Sequence, residues 1–469
     1  MNAAHPAGHS WEVSWSPPRF HSENTPTLDV VNARWWLFAL LGLNAAWVTD
    51  LFVLGHELSA PGGVLTVLGR LAGLYGALVL VLQLVLISRL PWLESRLGLD
   101  RLTQWHRWTG FWVLWLLVAH VVFITLGYAA QDGSPVLAEV GTLVFHTDDV
   151  LLATIAFVLL VVVGVTSARA ARRRLRYESW HLLHLLAYLA VVLGFLHQVS
   201  IGQDFTGSPA GRLYWWSLYG LALGLVAISR IGLPLVRNLR HRLRVESVVA
   251  ESDDVVSVVI TGRALDALPA RAGQFFLWRF LTAGHWQEAH PYSLSAMPDG
   301  RRLRITVKAL GDGSAWLRHV RPGTRVLAEG PYGAFTAQRR TQRKVLLIAG
   351  GVGVTPVRAL LEEFAARRDD IALIYRTSTT GSAVLADELR HWAARCGARM
   401  FLVLGPSTAI GRFGPVLGPR HLAAMVPDIR HRDVYVCGPP GMTDAVRGVL
   451  TELGVPAGQC HTERFAFAA

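Results

Sequence analysis

Four histidines in apolar surroundings carry the clearest chemistry in this chain. His106 and His120 stand 14 positions apart in one apolar segment, and His184 and His197 stand 13 apart in another. Histidine is scarce inside a hydrocarbon layer, and its default reading there is functional. A step of 14 helical residues climbs about 21 Å, which puts one imidazole towards each side of a hydrocarbon core about 30 Å thick. Neutral imidazole nitrogens are axial ligands for heme iron. Two helices with two stacked histidines each can grip two b-type hemes, one above the other. Fourteen residues come close to four full turns, so His106 and His120 share a face. Thirteen residues leave His197 about 140° from His184 on an ideal helix. The second pair therefore needs tilt, different rotamers or a bulge, with Gly194 as the weak point. His181, one turn before His184, is a rival ligand or a partner for a heme propionate. Arg70, towards the outer end of an earlier apolar segment, is placed to pair with an outer-heme propionate, because a buried arginine needs an anion.

A second set of motifs lies in the C-terminal half. In His290-Pro291-Tyr292-Ser293, the tyrosine can pack against an isoalloxazine ring and the serine can hydrogen-bond its polar edge. Lys308 precedes Gly311, Gly313 and Ser314 at an expected helix start. A lysine with a glycine turn at a helix N-terminus suits a pyrophosphate. A sharper signal runs from Leu346 to Pro356. A buried strand enters a turn with Gly350, Gly351 and Gly353, and a helix opens at Thr355 and Pro356. Glycines let the backbone approach a pyrophosphate whose charge the helix N-terminus stabilises. Cys437-Gly438-Pro439, after a later strand, strengthens the dinucleotide reading. Arg376 ends another strand, with Ser378 two residues on. An acidic residue there would take the 2′-hydroxyl of NADH, whereas arginine suits a 2′-phosphate. NADPH is therefore expected in preference to NADH.

The elements that must position these residues follow from hydropathy and charge. The chain has 469 residues, 52% of them hydrophobic, too apolar for an ordinary soluble enzyme. Six segments long enough to span a bilayer are expected near 35–54, 66–88, 105–128, 150–167, 180–200 and 213–233. Arginines crowd alternate loops: Arg89, Arg96 and Arg101, then Arg169 to Arg176, then Arg237 to Arg244. The other loops are acidic, with Glu57, Asp132, Glu139, Asp148, Asp149 and Asp204. The positive-inside rule puts both termini in the cytosol, with His106 and His184 inward and His120 and His197 outward. The expectation is a multi-pass protein of the cell membrane. The net charge of +12 is no nucleic-acid signature, since much of it sits in these loops. Cys396, Cys437 and Cys460 show no paired spacing and fit a reducing compartment. Residues 1–33 read as a polar tail without a signal peptide. Beyond Arg244, short alternating strands predict a small antiparallel β-barrel. From Lys344 on, strands alternate with helices as in a doubly wound α/β domain.

Taken together, these motifs resemble the ferric reductase / NADPH oxidase superfamily over residues 34–469. The resemblance implies a six-helix α transmembrane bundle (34–235), an antiparallel β-barrel flavin domain (241–338) and an α/β nucleotide-binding domain (342–469). It implies His106 with His184 on an inner heme and His120 with His197 on an outer one. The cytosolic half resembles ferredoxin–NADP reductase. That implies FAD at Tyr292 and Ser293 with His290 and Pro291 in its motif, and NADPH at Gly350–Pro356 and Cys437–Met442. Phe465 would cover the flavin near the C-terminus, with Phe467 as its rival. Phe465, Cys437 and Ser293 would then be the catalytic set. Superoxide-producing members carry a further histidine where this chain has Ile124, and no calcium-binding EF-hand pattern is present. Electrons would run from NADPH through FAD and two hemes to an extracytoplasmic acceptor. Oxygen is the first expectation, and a ferric chelate or a separate extracytoplasmic redox protein is the alternative. His56 and His146 are candidate outer metal contacts.

Overall fold

Long runs of leucine, valine and tryptophan with few interior charges form helices that this bundle is too small to hide. On the third long helix, Trp108 stays 63% exposed and Phe111 and Trp112 more than half exposed. Bilayer, not water, is the solvent that tolerates such a surface. The computed structural model describes residues 30–53, 61–168, 171, 174–175, 177–309, 311–406, 410–411 and 414–464. The expected tail up to residue 29, His56, and the Phe465/Phe467 pair lie outside the described residues.

The helices are α1 (Val30–Val53), α2 (Gly63–Ile87), the short α3 (Pro91–Leu97), α4 (Leu99–Asp132), α5 (Val136–His146), α6 (Val150–Ser167), α7 (Tyr177–Ile201), α8 (Pro209–Ala227) and α9 (Leu233–His241). Five described stretches are long and apolar enough to cross a membrane: Gly63–Ile87, Arg101–Asp132, Val150–Ser167, Ser179–Ile201 and Pro209–His241. The last includes a π-turn, Ile228–Gly232, that joins α8 to α9. This segment therefore runs past the expected end at Leu233. The 34-residue α4 also outruns its expected limits. Arg101 and Asp132 at its ends do not stop a helix.

Packing sorts these helices into pairs: α2 lies along α4, α6 along α7, and α8 against α2. Glycines on α2 allow the first close approach. A Cβ on Gly76 would lie 3.3 Å from Leu117 on α4. Polar ties cross the bundle as well. Tyr219 of α8 donates to Gln198 of α7 (2.9 Å), beside His197, and Tyr214 donates to Asn44 of α1 (2.9 Å).

The next unit consists of β1 (Arg244–Ser252), β2 (Val255–Thr261), β3 (Phe275–Phe280), β4 (His290–Ser293), β5 (Arg302–Lys308) and β6 (Val326–Tyr332). They form two three-stranded antiparallel sheets, β1-β2-β5 and β4-β3-β6. Bridges Arg244↔Arg325 and Leu294↔Ile305 link them. Alternation along β3 sends Phe276, Trp278 and Phe280 into a common core with Val258 and Ile305.

The last unit is a parallel sheet of order β13-β12-β7-β8-β9. Its strands are β7 (Lys344–Gly350), β8 (Asp370–Thr377), β9 (Arg399–Leu404), β12 (Arg432–Gly438) and β13 (Cys460–Arg464). A small hairpin, β10 (Ile410–Gly411) with β11 (Gly414–Pro415), precedes β12. Along β7, Val345, Leu347 and Ala349 face helices α10 (Val354–Ala366) and α11 (Ala386–Cys396). Leu346 and Ile348 face α12 (Pro419–Met425) and α13 (Pro440–Glu452). Cover on both faces explains why β7 reads as an unbroken apolar run. The edge strand β13 was not foreseen. Its short Cys460–Arg464 run is too polar to stand out as a buried strand.

Candidate functional site

α4 and α7 carry the histidine pairs, and side chains meet across the space between them. The His106 and His184 rings meet edge-on, with centroids 6.0 Å apart and planes at 66°. Two metal–nitrogen bonds of about 2 Å each, plus the ring radii, span about that distance. Ser167 on α6 meets His184 Nδ1 (3.2 Å) and accepts from Trp180 (3.3 Å). The Trp180 ring lies 5.1 Å from that of His184. His181 points to the exposed side of α7, so the geometry pairs His184, not His181, with His106. Gln83 on α2 donates to the backbone oxygen of His106 (2.9 Å).

The second pair sits further along the same helices. His120 Nδ1 lies 2.8 Å from the Gly69 carbonyl oxygen, so as donor it leaves Nε2 free for a metal. A Cβ on Gly73 would stand 2.6 Å from that ring, so only glycine fits beside it. Arg70 is adjacent to Gly69, and Ile124 packs where a Cβ on Gly69 would fall. His197 lies within electrostatic reach of His120 and Asp149. Of the three expected devices, α7 shows no break at Gly194, since it is helical from Tyr177 to Ile201. Rotamer choice and tilt remain.

These residues fit hemes. His106 Nδ1 and His197 Nδ1 are buried without a hydrogen-bond partner. Among the described residues, no cluster of three or more histidine, cysteine or acidic groups could hold a bare metal ion. Two histidines per iron suffice when a porphyrin supplies the equatorial nitrogens. His146 ends α5 as an exposed residue, away from any such cluster.

The flavin motif occupies β4. Ser293 Oγ is buried without a partner, as a hydroxyl reserved for a ligand's polar edge would be. The Tyr292 ring stacks at 24° with that of His290. Glu288 bridges His290 Nε2 (3.1 Å) and His285 Nδ1 (3.3 Å), and His285 stacks on Trp316 at 4.3 Å. This contact, invisible in the sequence, ties the β3–β4 loop to the turn after Gly311. Pro291 is exposed beside Tyr292.

Two expectations change here. The helix after Gly311 is a single turn, Asp312–Ala315, followed by a 3-10 turn, so it has little dipole to offer a phosphate. Lys308 pairs with Asp254 at 3.1 Å rather than standing free, and Ser314 Oγ turns back to the Gly311 carbonyl oxygen (3.1 Å). Arg376 is likewise committed. Its guanidinium donates to the carbonyl oxygens of Thr377 (2.8 Å), Gly405 (2.5 Å) and Pro406 (2.7 Å). It shapes the ends of β8 and β9 with three of its five N–H groups. Ser378 stays exposed beside it.

The sheet order reverses between β7 and β12, the point where open α/β sheets bind ligands at the carboxyl ends of their strands. Gly350, Gly351 and Gly353 leave β7 there, and Cys437, Gly438 and Pro439 leave β12. A Cβ on Gly353 would lie 2.3 Å from the Cys437 carbonyl oxygen. The two turns touch, and the 13-residue α10 starts at once. Thr355 turns its hydroxyl to the Val352 carbonyl oxygen (3.1 Å) and Pro356 is buried, so both build the turn. Burial pushes the Cys437 thiol up, which keeps it neutral. Arg304 joins the flavin and nucleotide units with a two-pronged bond to Glu388 (2.8 and 2.9 Å), and Met297 N donates to Glu362 of α10 (2.9 Å).

Comparison with known proteins places both halves. Residues 72–195 match the family described as ferric reductase like transmembrane component, and residues 347–448 match the oxidoreductase NAD-binding domain. The flavohemoprotein of Deinococcus radiodurans is 32% identical over 300 residues, 57% of this chain and 74% of that protein. The NADH oxidoreductase HCR of Escherichia coli K12 is 31% identical over 220 residues. That match covers 46% of this chain and 65% of the relative's length, a little under two-thirds. Among solved structures, the FAD/NAD-binding domain of nitric oxide dioxygenase from Vibrio cholerae O1 biovar El Tor is 27% identical with a TM-score of 0.41. It covers 48% of this chain and 99% of that one. A ferric reductase-like membrane component joined to an FAD/NAD-binding reductase module is the architecture of the ferric reductase / NADPH oxidase superfamily of membrane oxidoreductases, and this chain belongs to it.

Proposed function

We propose that this protein carries electrons across a membrane from NAD(P)H to an acceptor on the far side. The observation that carries the reading is the pair His106 and His184, 6.0 Å apart on helices within the ferric reductase-like segment, with His120 and His197 further along them. The proposed units are a heme domain (34–235, six spans including α1), an FAD domain (241–338) and an NAD(P)H domain (342–469). A bound FAD would supply the exchange between one two-electron hydride and two single electrons, and two bound b-type hemes would supply one-electron carriers. The residues supply position and environment. Gly350, Gly351, Gly353 and the N-terminus of α10 cradle the dinucleotide pyrophosphate. Gly438 and Pro439 close on it, and Cys437 presents a neutral thiol to the nicotinamide. Tyr292 flanks the isoalloxazine, and Ser293 Oγ bonds its polar edge. His106 and His184 hold the inner iron, and His120 and His197 the outer one, with Arg70 beside the outer heme's carboxylates.

Oxygen is the proposed acceptor. Oxygen is small enough to reach the outer histidine level through packed helices, whereas a ferric chelate needs an open, polar approach. Pyridine hemochrome analysis tests the electron path: two b hemes per chain are expected, and one or none overturns it. NADPH oxidation by the purified protein with oxygen, ferric chelate or neither then tests the acceptor.

A further inference from the structure

Strand β6 is the outer strand of the flavin-motif sheet, and the membrane unit grips it at consecutive residues. Asn238 of α9 donates to the Ala328 carbonyl oxygen (3.1 Å) and accepts from its N–H (2.9 Å), as a neighbouring strand would. Arg237 donates to the Gly330 carbonyl oxygen. Glu94 of α3 accepts from Gly333 N–H (3.3 Å). The densest contact is Glu329. Arg89 donates to its Oε1 at 2.9 Å, Arg230 lies 3.8 Å from the same oxygen, and Tyr332 donates to it at 2.7 Å.

Irregular backbone builds this cluster. Arg89 sits at φ 57, in the left-handed region that non-glycine residues occupy only when their surroundings hold them. Arg230 and Ser229 lie in the π-turn Ile228–Gly232, a device that often marks functional positions. Ser229 Oγ donates to the Ser88 carbonyl oxygen and Arg230 Nε to that of Ile87 (3.2 Å). The ends of α2 and α8 are thus locked together before either arginine reaches the flavin unit.

The cluster also lies between the two proposed redox centres. Ser293, Phe275 and Tyr332 form one row across β4, β3 and β6. With strands about 4.8 Å apart, Tyr332 stands about 10 Å from the flavin motif. The Arg89 guanidinium lies over the Tyr332 ring, 5.2 Å from its centre. Behind Arg89, Gln83 of α2 holds the backbone of His106. One bonded route therefore links the flavin strand to the inner histidine.

We propose that Arg89, Arg230 and Glu329 form an interdomain latch that holds the flavin motif at a fixed distance and orientation from the inner histidine pair, and so governs electron passage between them. The assignment rests on the electron path of the preceding subsection. These are positioning residues, because none touches the reacting groups. Each hydride delivers two electrons and each iron takes one, so the gap must be crossed twice per hydride. A flavin unit that rocks on its linker is close enough for transfer during only part of the time.

The test uses the full-length protein in lipid nanodiscs with Glu329→Gln, Arg89→Gln and the charge swap Arg89→Glu/Glu329→Arg. Anaerobic mixing with NADPH reads flavin bleaching and heme reduction separately. Flavin bleaching should stay within about twofold of the unmodified protein. Heme reduction should slow about tenfold in Glu329→Gln, the effect of one lost charge-assisted bond on the docked population. The swap should recover part of the rate, because Arg230 keeps its positive charge beside position 329. Heme reduction at the unmodified rate in Glu329→Gln, with heme and FAD content unchanged, overturns the latch. So does parallel slowing of both phases without recovery in the swap. Hydrogen exchange of amides 326–333 is a second readout that needs no electron transfer. Protection should fall in Glu329→Gln and return in the swap, and unchanged protection overturns the proposal. If the unmodified protein shows no NADPH-driven heme reduction, the electron path fails while hydrogen exchange still decides the latch.

Discussion

At the scale of single residues, the site depends on what each side chain's second atom does. His120 has a partner for Nδ1 in the Gly69 carbonyl, and Gly73 leaves room for its ring. Gly73→Ala puts a methyl 2.6 Å from that imidazole. Neither ring nor backbone can give that much in a packed helix pair. The expected outcome is a folded protein with one heme in place of two, read by pyridine hemochrome. His181→Leu should keep both hemes, because His181 lies on the exposed side of α7 while His184 meets His106. A heme lost on changing His181 would reverse the ligand assignment on α7. Arg376 gives a different expectation from the one its strand-end position invites. Its donors hold three carbonyl oxygens, so Arg376→Ala should lower kcat/KM for NADPH and NADH in parallel. A loss confined to NADPH would restore a 2′-phosphate contact. Steady-state kinetics with both donors decides between them.

At the scale of elements, α3 carries a buried acid into the contact between membrane and flavin units. Glu94 is 1% exposed, and burial pushes its carboxyl from the ordinary 4.5 up to about 7. The Gly333 N–H and Arg89 oppose that shift without cancelling it. The folded form thus binds the proton more tightly than the unfolded one, so the contribution is stabilising at low pH. It is fully present below about pH 4.5, declines as pH rises towards about 7, and is flat above that. At about 1.4 kcal/mol per pKa unit the slope amounts to a few kcal/mol at most. Thermal unfolding of the unmodified protein and Glu94→Gln across this window checks it. The glutamine variant should lack this downward slope, and an identical slope in both proteins would remove Glu94 as its source.

At the scale of the whole molecule, the three units form a series: dinucleotide turn, flavin strand, then two histidine levels along α4 and α7. α3 follows α2 and packs on β6, so the His106 level is the one nearer the flavin unit. Electrons that enter there should leave at the His120 level. In proteoliposomes with NADPH on the flavin side, the expected result is superoxide-dismutase-sensitive cytochrome c reduction on the opposite side. Anaerobic ferric-chelate reduction faster than oxygen consumption in air would replace oxygen as the acceptor.

Local sequence was enough for whatever depends on neighbours along the chain. Val150–Ser167 was readable to the residue, because eighteen uncharged and mostly apolar positions can only be one kind of segment in lipid. The short strands beyond Arg244, β3 (Phe275–Phe280) among them, were readable because alternation has one meaning on a half-buried strand. The glycine turn after β7 and the four histidines announced themselves by type and spacing. What stayed hidden depends on who meets whom across long separations. No local signal marks Gln83 as a partner of His106, Gly73 as the space beside His120, or Glu329 as the carboxylate that Arg89 and Arg230 share. A glutamine in an apolar helix and an arginine at φ 57 are hints only once the neighbours are known. Arg376 and Lys308 show the converse. Their types and positions suggested phosphate, and packing gave their donors to carbonyl oxygens and to Asp254. Tertiary structure decides such cases because a buried donor bonds whatever acceptor the fold brings within reach, and that acceptor is set by topology rather than by adjacent residues.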